Sequence, residues 1–401
     1  MKKSHIDWCP VIPDHWEEKR IKDIAFLQSG NSITAMDIAE EGKYPVYGGN
    51  GLRGYTNNYT NDGDYVLIGR QGALCGNINY AYGKFYATEH AVVVYTKNEE
   101  ITYWLGETLK AANLNRLSMT AAQPGLAVST LNIQFIPYPP RKERIRIANY
   151  LAEKCTEIDT QVSLLTSKRD AYLRLKKSII NHVVTRGLNP NVKMKDSGIE
   201  WIGEVPEHWE VKRMKDIFFE RKELSLTGEE DLLSVSEFYG VARRKDKMNS
   251  DEEFESRADS LVGYKICKAH DLVINIMLAW KTGLGISDND GIVSPAYAVY
   301  EGRNIASHFY HYLLRSGMYV KEFKRHSKGI IDSRLRLYND RFNNISAIYP
   351  PLPEQRAIAT YLDDKCGKID TIVSNLDKQI SRYGDLKRSL IDEVITGKRA
   401  V

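Results

Sequence analysis

The sequence has few cysteines and no apolar run long enough to cross a membrane. Its five cysteines are odd in number, widely spaced and never in a CxxC arrangement, so neither a disulfide framework nor a cysteine zinc site is expected. The N-terminus carries two lysines without an apolar segment after them, which argues against a signal peptide. We therefore predict a cytoplasmic protein that does not enter a membrane.

Motifs of the common enzyme classes are also missing. The sequence contains no P-loop, no HExxH and no NPPY- or DPPY-like tetrapeptide of the kind that binds a flipped base in DNA methyltransferases. Residues 49–54 match GxGxxG, but the polar run after them does not open a helix, as a dinucleotide site requires. Pro13-Asp14 with Glu17 and Lys19 resembles a compressed nuclease motif, but it lies in an apparent linker. We predict a chain that is not itself an enzyme and binds no cofactor or metal.

The sequence also lacks a strong excess of one charge, since its net charge is +4. Residues 141–195 nevertheless hold 13 Lys/Arg and 5 Asp/Glu, whereas 25–140 hold 7 and 9, and 218–352 hold 19 of each. The positive excess therefore lies between two nearly neutral segments. It is either a solvated helix face or a basic strut near a phosphate backbone.

Two blocks occur twice in the chain. Residues 8–24 (WCPVIPDHWEEKRIKDI) and 201–217 (WIGEVPEHWEVKRMKDI) are identical at ten of 17 positions, at an offset of 193. Residues 148–160 (ANYLAEKCTEIDT) and 359–371 (ATYLDDKCGKIDT) are identical at eight of 13 positions, at an offset of 211. The segments between the blocks share almost nothing. A duplicated frame with two unlike inserts predicts one scaffold that presents two different readers.

Each half ends in a long helical pattern. From Leu151 and from Leu362 the apolar residues alternate at spacings of four and three, which predicts a heptad seam, although Arg169 interrupts the first one. Gly187 and Gly397 are the predicted helix stops. Helices of roughly 40 residues would be about 60 Å long. The two can pair with each other, and an antiparallel pairing would place one insert at each end.

The inserts are predicted to be mixed α and β. Apolar runs at 65–68, 91–95, 271–275 and 297–300 indicate strands, and 102–117 and 307–324 have helical patterns. The predicted fold class is α+β, with two mixed α/β domains separated by two long helices in an antiparallel coiled coil and a pseudo-twofold internal repeat. The predicted boundaries are 1–140 for the first domain, 141–190 for the first spacer helix, 191–352 for the second domain and 353–401 for the second spacer helix.

This arrangement resembles the specificity subunit of type I restriction-modification systems. The resemblance rests on four blocks in a fixed order and covers the whole chain. They are the duplicated P-x-H-W-x-x-K-R block, the helix starts 139–145 (PPRKERI) and 351–358 (PLPEQRAI), and the repeated Tyr-Leu…Lys-Cys…Ile-Asp-Thr. Arg144 stands where the family usually has Gln. The stretches 44–51, 66–72 and 291–297 also look like parts of target-recognition domains.

The resemblance implies a non-catalytic subunit with two target-recognition domains that read an asymmetric, bipartite site on double-stranded DNA. It further implies two modification subunits, which bind S-adenosylmethionine and methylate adenine, and two restriction subunits, which use ATP and Mg for translocation and cleavage.

Reading of base edges needs side chains such as Arg, Asn and Gln in exposed loops of the inserts. We therefore predict DNA-binding roles for a set of polar residues, although each alone is more often an ordinary surface residue. In the first insert they are Asn50, Arg53, Arg70, Gln71 and Gln123. In the second insert they are Arg243, Arg244, Lys281, Arg334 and Arg336.

Other single residues are predicted to be structural. Trp16 and Trp209 are expected to anchor each insert to the helices, and the histidines before them to form structural hydrogen bonds. Cys155 and Cys366 occupy matching seam positions and are expected to pack in the core. Trp280 could stack on a base, but a tryptophan beside an apolar run is more often buried.

Three other functions remain open from the residues alone. The chain could be a stand-alone DNA-binding regulator, or a scaffold whose nearly neutral inserts bind proteins. A nuclease or methyltransferase within one chain is the third, and the missing motifs argue against it.

Overall fold

The computed structural model describes residues 1–72, 74–97, 101–118, 125–247, 260–331 and 334–401. The chain divides into two compact units, the first formed by 1–166 with 377–401 and the second by 167–376. Both divisions fall inside a long helix, so each unit contains the start of one long helix and the end of the other.

The first unit contains twelve strands among its described residues. They are β1 Lys2–Ile6, β2 Cys9–Ile12, β3 Glu17–Arg20, β4 Ala25–Ser29, β5 Tyr44–Gly48, β6 Gly51–Thr56, β7 Asn61–Asp62, β8 Tyr65–Gly69, β9 Ile78–Ala81, β10 Lys84–Ala87, β11 Ala91–Thr96 and β12 Phe135–Tyr138. Its helices are α1 Ile21–Ile24, α2 Thr102–Ala111, α3 Val128–Asn132 and the first part of α4 Arg141–Arg186.

Two four-stranded sheets form the body of the first unit. The central sheet has the order β4-β11-β8-β9 and is antiparallel throughout. The outer sheet has the order β6-β5-β10-β7, and its β5–β10 pair is parallel. The hairpin β1–β2 and the pair β3–β12 complete the unit.

The second unit contains twelve further strands in its described part. They are β13 Met194–Asp196, β14 Glu204–Pro206, β15 Glu210–Arg213, β16 Phe218–Glu220, β17 Leu233–Ser236, β18 Gly240–Arg243, β19 Lys265–Cys267, β20 Leu272–Ile274, β21 Leu284–Ile286, β22 Gly291–Val293, β23 Ala298–Gly302 and β24 Ser346–Tyr349. Its helices are α5 Met214–Ile217, α6 Ser307–Leu314, α7 Gly317–His326, α8 Asn339–Phe342 and the first part of α9 Leu352–Ile395.

The second unit repeats the topology of the first strand by strand. Its central sheet, β16-β23-β20-β21, has the order of β4-β11-β8-β9, and its hairpin β13–β14 and pair β15–β24 match β1–β2 and β3–β12. The hairpin β17–β18 corresponds to β5–β6, and a parallel bridge between Leu232 and Ile292 corresponds to the β5–β10 pairing. The inserts are thus unlike in sequence but alike in fold.

The apolar runs are strands with both faces covered. In β8 and β11, Val66 and Val92 point into the main core of the first unit, whereas Leu67 and Val93 pack with Phe85 under the outer sheet. A strand alternates its side chains between two faces, so burial on both sides requires a continuous apolar run. The four strands predicted from these patterns are confirmed. The two helical segments are confirmed in part, because α2 ends at Ala111 and the segment 307–324 is divided between α6 and α7.

The two long helices pair within each unit. In the first unit Leu151 of α4 shares a core with Leu390 of α9, and the Lys387 ammonium lies 2.7 Å from the Asp159 carboxylate. The second unit pairs the other ends of the helices through equivalent contacts. These are Val184 with Leu362 in the core and an ion pair of 2.6 Å between Lys176 and Asp370.

In both pairs the early part of one helix contacts the late part of the other, so the predicted antiparallel pairing is confirmed within each unit. Cys155 and Cys366 are buried, as predicted, at equivalent positions of the two helices. Gly187 and Gly397 both follow a helix with a positive φ, +74° and +71°, as expected of helix stops.

A carboxylate in the first turn of each long helix forms hydrogen bonds with the duplicated His-Trp pair. In the first unit the Trp16 indole N–H donates to one oxygen of Glu143 at 2.8 Å, and His15 Nε2 lies 2.8 Å from the other. Partial burial raises the pKa of Glu143, but the hydrogen bonds from Trp16 and His15 outweigh it and lower that pKa.

The second unit repeats this arrangement of a carboxylate with its Trp and His partners, here named the clamp. Trp209 donates to Glu354 at 2.9 Å, and His208 Nε2 lies 2.5 Å from the other carboxylate oxygen. These contacts join the β3 and β15 regions to the helices. They agree with the anchoring role predicted for the tryptophans and with the structural hydrogen bonds predicted for the histidines.

Candidate nucleic-acid interface

Three segments meet at one corner of the first unit, here named the first corner. They are the turn 49–50 between β5 and β6, the loop residues 70–72 and 74–77 between β8 and β9, and the segment 125–126. The Asn77 amide donates to the Asn50 side-chain oxygen at 3.0 Å, and the Leu126 N–H donates to the Arg70 carbonyl at 2.9 Å. A Cβ on Gly69 would lie only 2.1 Å from the Gly49 carbonyl oxygen, so glycine permits the turn to lie on the loop.

The structure brings four of the predicted residues of the first insert together here. Asn50 and Gln71 are exposed on the corner, and Gln71 forms a backbone bridge to Gly125. Arg53 is exposed two residues after Gly51 on β6. Arg70 is half-buried, and its guanidinium donates to the Ser29 hydroxyl at 3.3 Å, so it is partly held by the protein itself. Gln123 lies outside the described residues.

Sequence reasoning missed a second group of polar side chains at this corner. Three buried side-chain atoms have no hydrogen-bond partner among the described residues: Asn79 Nδ2, Glu89 Oε2 and His90 Nδ1. The His90 carbonyl accepts from the Arg70 N–H at 2.9 Å, which places the 88–90 loop against the corner. An unsatisfied buried polar atom is costly unless a ligand or water pairs with it. No local motif marks these residues, because only the sheet topology brings the β10–β11 loop to this position.

The equivalent segments meet in the same way in the second unit, here named the second corner. They are the turn 237–239 between β17 and β18, the loop 275–283 between β20 and β21, and the segment 334–337. The Leu337 N–H donates to the Ile276 carbonyl at 2.8 Å, as Leu126 does to Arg70. The Thr282 hydroxyl donates to the Glu237 carbonyl at 2.7 Å and fixes the turn on the loop.

Three predicted residues of the second insert lie at this corner. Lys281 and Arg334 are exposed, and Arg336 is half-buried, with backbone hydrogen bonds to Lys328 in both directions. Trp280 is half-buried, so it is neither a core residue nor a freely exposed one. Lys281 Nζ lies 5.0 Å from the centre of its ring.

Arg243 and Arg244 are not part of the second corner. Arg243 ends β18 opposite Leu233, at the far end of the hairpin from its turn, and its Nε lies 3.3 Å from Asp231. The Lys245 ammonium is 2.7 Å from the same carboxylate, and its hydrogen bond lowers the pKa of Asp231. Asp231 thus pairs with the charge of Arg243. Arg243 and Arg244 lie apart from the other predicted residues of the second insert, at the far end of the hairpin.

No described helix is long and apolar enough to span a membrane. The described residues also contain no group of three or more His, Cys, Asp or Glu side chains arranged to hold a metal ion. The arrangement offers hydrogen-bond donors, cations and exposed loops at two equivalent corners, which suits recognition of a polyanion with readable edges.

Comparison with known proteins identifies the class. Residues 13–163 and 206–382 match the family described as type I restriction modification DNA specificity domain. The two matched segments cover most of the chain, and the chain therefore belongs to this family. It is the DNA-recognition subunit of a type I restriction-modification system and is not an enzyme by itself.

Individual relatives agree with this assignment. The EcoprrI specificity subunit of Escherichia coli is 41% identical over 38% of this chain and 39% of its own length. The MjaVIII specificity subunit of Methanocaldococcus jannaschii is 23% identical over 96% of this chain and 93% of its own length. A chain solved in work on assembly and conformational transition of the type I R-M system has the same fold, with a TM-score of 0.69 at 13% identity over 97% of this chain and all of that one.

Proposed function

We propose that this subunit reads an asymmetric, bipartite site on double-stranded DNA, with one corner for each half-site. The observation that carries the proposal is the repeated corner. The same three segments meet in both units, but they present Asn50 and Gln71 in one and Lys281, Arg334 and Arg336 in the other. One scaffold with two different sets of side chains would read two different sequences. In this proposal the readers are residues 1–140 and 191–352, and the spacers are 141–190 and 353–401.

The chemistry of the corners supports direct reading of bases. Asn and Gln can make paired hydrogen bonds to adenine, and Arg or Lys to guanine, each pair contributing about 1–3 kcal/mol of discrimination. The basic excess of 141–195 would then lie near the phosphate backbone or on the surface that docks partners.

The partners follow from membership of the family. We propose assembly in the cytoplasm with two modification subunits and two restriction subunits, as is expected of type I systems. S-adenosylmethionine, ATP and Mg would bind to those partners and not to this chain.

The test is co-expression of the full chain with its neighbouring modification subunit, followed by mapping of methylated adenines across the host genome. One split motif with an unspecified middle is the expected result. If the two proteins associate and remain soluble without any methylation, the proposal is wrong and a regulator or protein scaffold becomes the better explanation.

The role of the first corner is tested with Gln71→Ala and Asn50→Ala. We expect relaxed specificity in one half-site only, because each variant removes donors that face one set of bases. Arg243→Ala is the matched control, since Asp231 already pairs with that arginine away from the second corner. Equal effects of all three variants would contradict the assignment of the corners.

A further inference from the structure

The turn 237–239 carries a phenylalanine that points into solvent. Phe238 is 91% exposed and lies at the tip of the β17–β18 hairpin, on the second corner. A single exposed apolar side chain is common on protein surfaces and by itself indicates no function. What distinguishes Phe238 is the way in which the backbone beneath it is held.

Arg315, the residue after α6, ties the turn to the loop 275–283. Its guanidinium donates to four carbonyl oxygens: those of Thr282 and Leu284 at 2.7 Å each, Glu237 at 3.0 Å and Phe238 at 3.1 Å. Hydrogen bonds from a charged donor are stronger than neutral ones. Arg315 therefore binds the backbone of the turn 237–239 and the backbone at Thr282 and Leu284. None of these contacts involves the Phe238 ring.

Two further contacts fix the turn. The Tyr239 hydroxyl lies 3.0 Å from the Ser234 hydroxyl across the hairpin, and Gly240, which has a φ of +84°, lies beside His311. A Cβ on Gly240 would lie 3.0 Å from His311 Cε1, so the backbone packs closely against α6. The backbone of the hairpin tip is thus held in place, and Phe238 stands exposed on it.

The side chains on the neighbouring segments favour nucleic acid, and not an apolar protein surface, as the partner of the second corner. Trp280 lies on the adjoining loop with Lys281 Nζ and Lys324 Nζ at 5.0 and 5.1 Å from its ring centre. Arg334 is exposed on the third segment of the corner. The second corner therefore combines an exposed aromatic side chain on its turn with cations on the adjoining segments. This combination lets a side chain enter a base stack while neighbouring cations bind phosphates.

The first corner has no counterpart of this ring. Its turn consists of Gly49 and Asn50, and the Gly49 carbonyl lies so close to Gly69 that only a compact turn fits. The two corners therefore differ at the turn, since Gly49 and Asn50 carry no aromatic ring whereas the turn 237–239 carries the exposed Phe238.

We propose that Phe238 is a wedge that inserts between two stacked base pairs of the half-site bound by the second unit. This inference rests on the proposed function, because it requires the second corner to face DNA. The binding affinity would then depend on the stacking energy of the base step that the ring enters. Because this energy differs among dinucleotides, the wedge would contribute to specificity without a hydrogen bond.

The test uses the full chain with its modification subunit and a duplex that contains the mapped site, with 2-aminopurine placed at single positions of either half-site other than the methylated adenines, because a methyltransferase flips its target base. Wild-type protein is expected to raise the fluorescence at one step of one half-site, because an unstacked 2-aminopurine is no longer quenched. Phe238→Ala should abolish that rise and weaken binding about tenfold, and Phe238→Trp should keep both properties.

Leu226→Ala is the matched control, because Leu226 is 88% exposed in the same unit and follows Leu224, which bridges Lys265 of β19, so it does not belong to the three segments of the second corner. It should behave as wild type. If Phe238→Ala gives wild-type fluorescence and affinity, the wedge is wrong. If it loses the modification subunit but keeps DNA affinity, the ring docks protein and the wedge is also wrong. A wild-type complex without sequence-specific binding would instead overturn the proposed function.

Discussion

Among single residues, the paired carboxylates at the helix starts explain why the short duplicated block is so similar in both halves. Glu143 and Glu354 each accept from a buried indole N–H and a histidine, so two side chains far away in sequence have one common partner. Arg144 and Gln355, which differ chemically, both donate to a proline carbonyl five residues earlier, at 2.6 and 2.7 Å. The replacement of the usual Gln by Arg144 therefore preserves the contact.

Removal of the first carboxylate should destabilise the first unit. We expect Glu143→Ala to lower the free energy of unfolding by about 1–3 kcal/mol, because the buried Trp16 N–H loses its acceptor. Urea unfolding followed by tryptophan fluorescence measures this. Glu153→Ala, an exposed carboxylate on the same helix, is the control, and equal stability of the two variants would contradict the clamp.

The half-buried His311 should make the second unit sensitive to acid. Burial, with smaller contributions from the positive charges of Arg315, His308 and Lys176, lowers the pKa of His311 to about 3. As the pH falls below 6.5, His311 becomes protonated in the unfolded chain, whereas in the folded chain it stays neutral until about pH 3. This residue's contribution to the free energy of unfolding should therefore fall by at most ~1.4 kcal/mol per pH unit within that window.

Because carboxylates also titrate in this range, the measurement compares wild type with His311→Asn, whose side-chain oxygen can replace Nδ1 as acceptor for the Ile286 N–H. Urea unfolding between pH 7 and pH 4 should show a flatter pH dependence for the variant. Parallel curves would show that His311 titrates normally in the folded protein.

Among the elements, the long helices carry glycines with opposite roles. Gly367 lies inside α9 with nothing within 4 Å of the position of a Cβ, whereas Gly397 has a φ of +71° and its Cβ would lie 2.4 Å from Pro13. The first glycine weakens its helix without a packing reason, and the second permits the chain to turn beneath the Trp16 region.

The same substitution should therefore act in opposite directions at these two positions. We expect Gly367→Ala to raise stability by about 0.5–1 kcal/mol, because alanine is the better helix former. Gly397→Ala should lower stability by more than that, since it combines backbone strain with a clash. Thermal unfolding of both variants beside wild type is the measurement, and a shift of the same sign in both would refute the argument.

For the whole molecule, repetition of topology makes the readers exchangeable. The first insert begins at β4, directly after α1, and ends at α3, just before β12, so its ends lie beside the pair β3–β12, which recurs as β15–β24. The Ile21 N–H donates to the Gln134 carbonyl at 3.0 Å, which keeps the two ends together whatever lies between them.

Replacement of 25–133 by the insert of another specificity subunit should change one half-site and leave the other intact. The reason is that the clamp residues Trp16 and Glu143 and the helices all lie outside the exchanged segment. Methylation mapping of the exchanged protein is the measurement. A change in both half-sites would show that the readers are not independent.

The sequence by itself determined the scaffold of this protein. Helix periodicity, helix stops and the duplicated His-Trp block are local or nearly local signals, because a helix satisfies its backbone within a few residues and an amphipathic seam repeats along it. The apolar runs 65–68 and 91–95 also gave correct strands, since burial on both faces requires them. The family resemblance followed from the order of these blocks.

Only the tertiary structure decided how the inserts are folded and which polar residues meet. Strand β4 pairs with β11 more than 60 residues later, and such pairings depend on the whole sheet and not on neighbours in sequence. That topology brings Glu89 and His90 to the first corner, removes Arg243 from the second and places Phe238 on a turn held by Arg315. These contacts are long-range and involve backbone carbonyls, which have no residue signature, so no pattern in the sequence could reveal them.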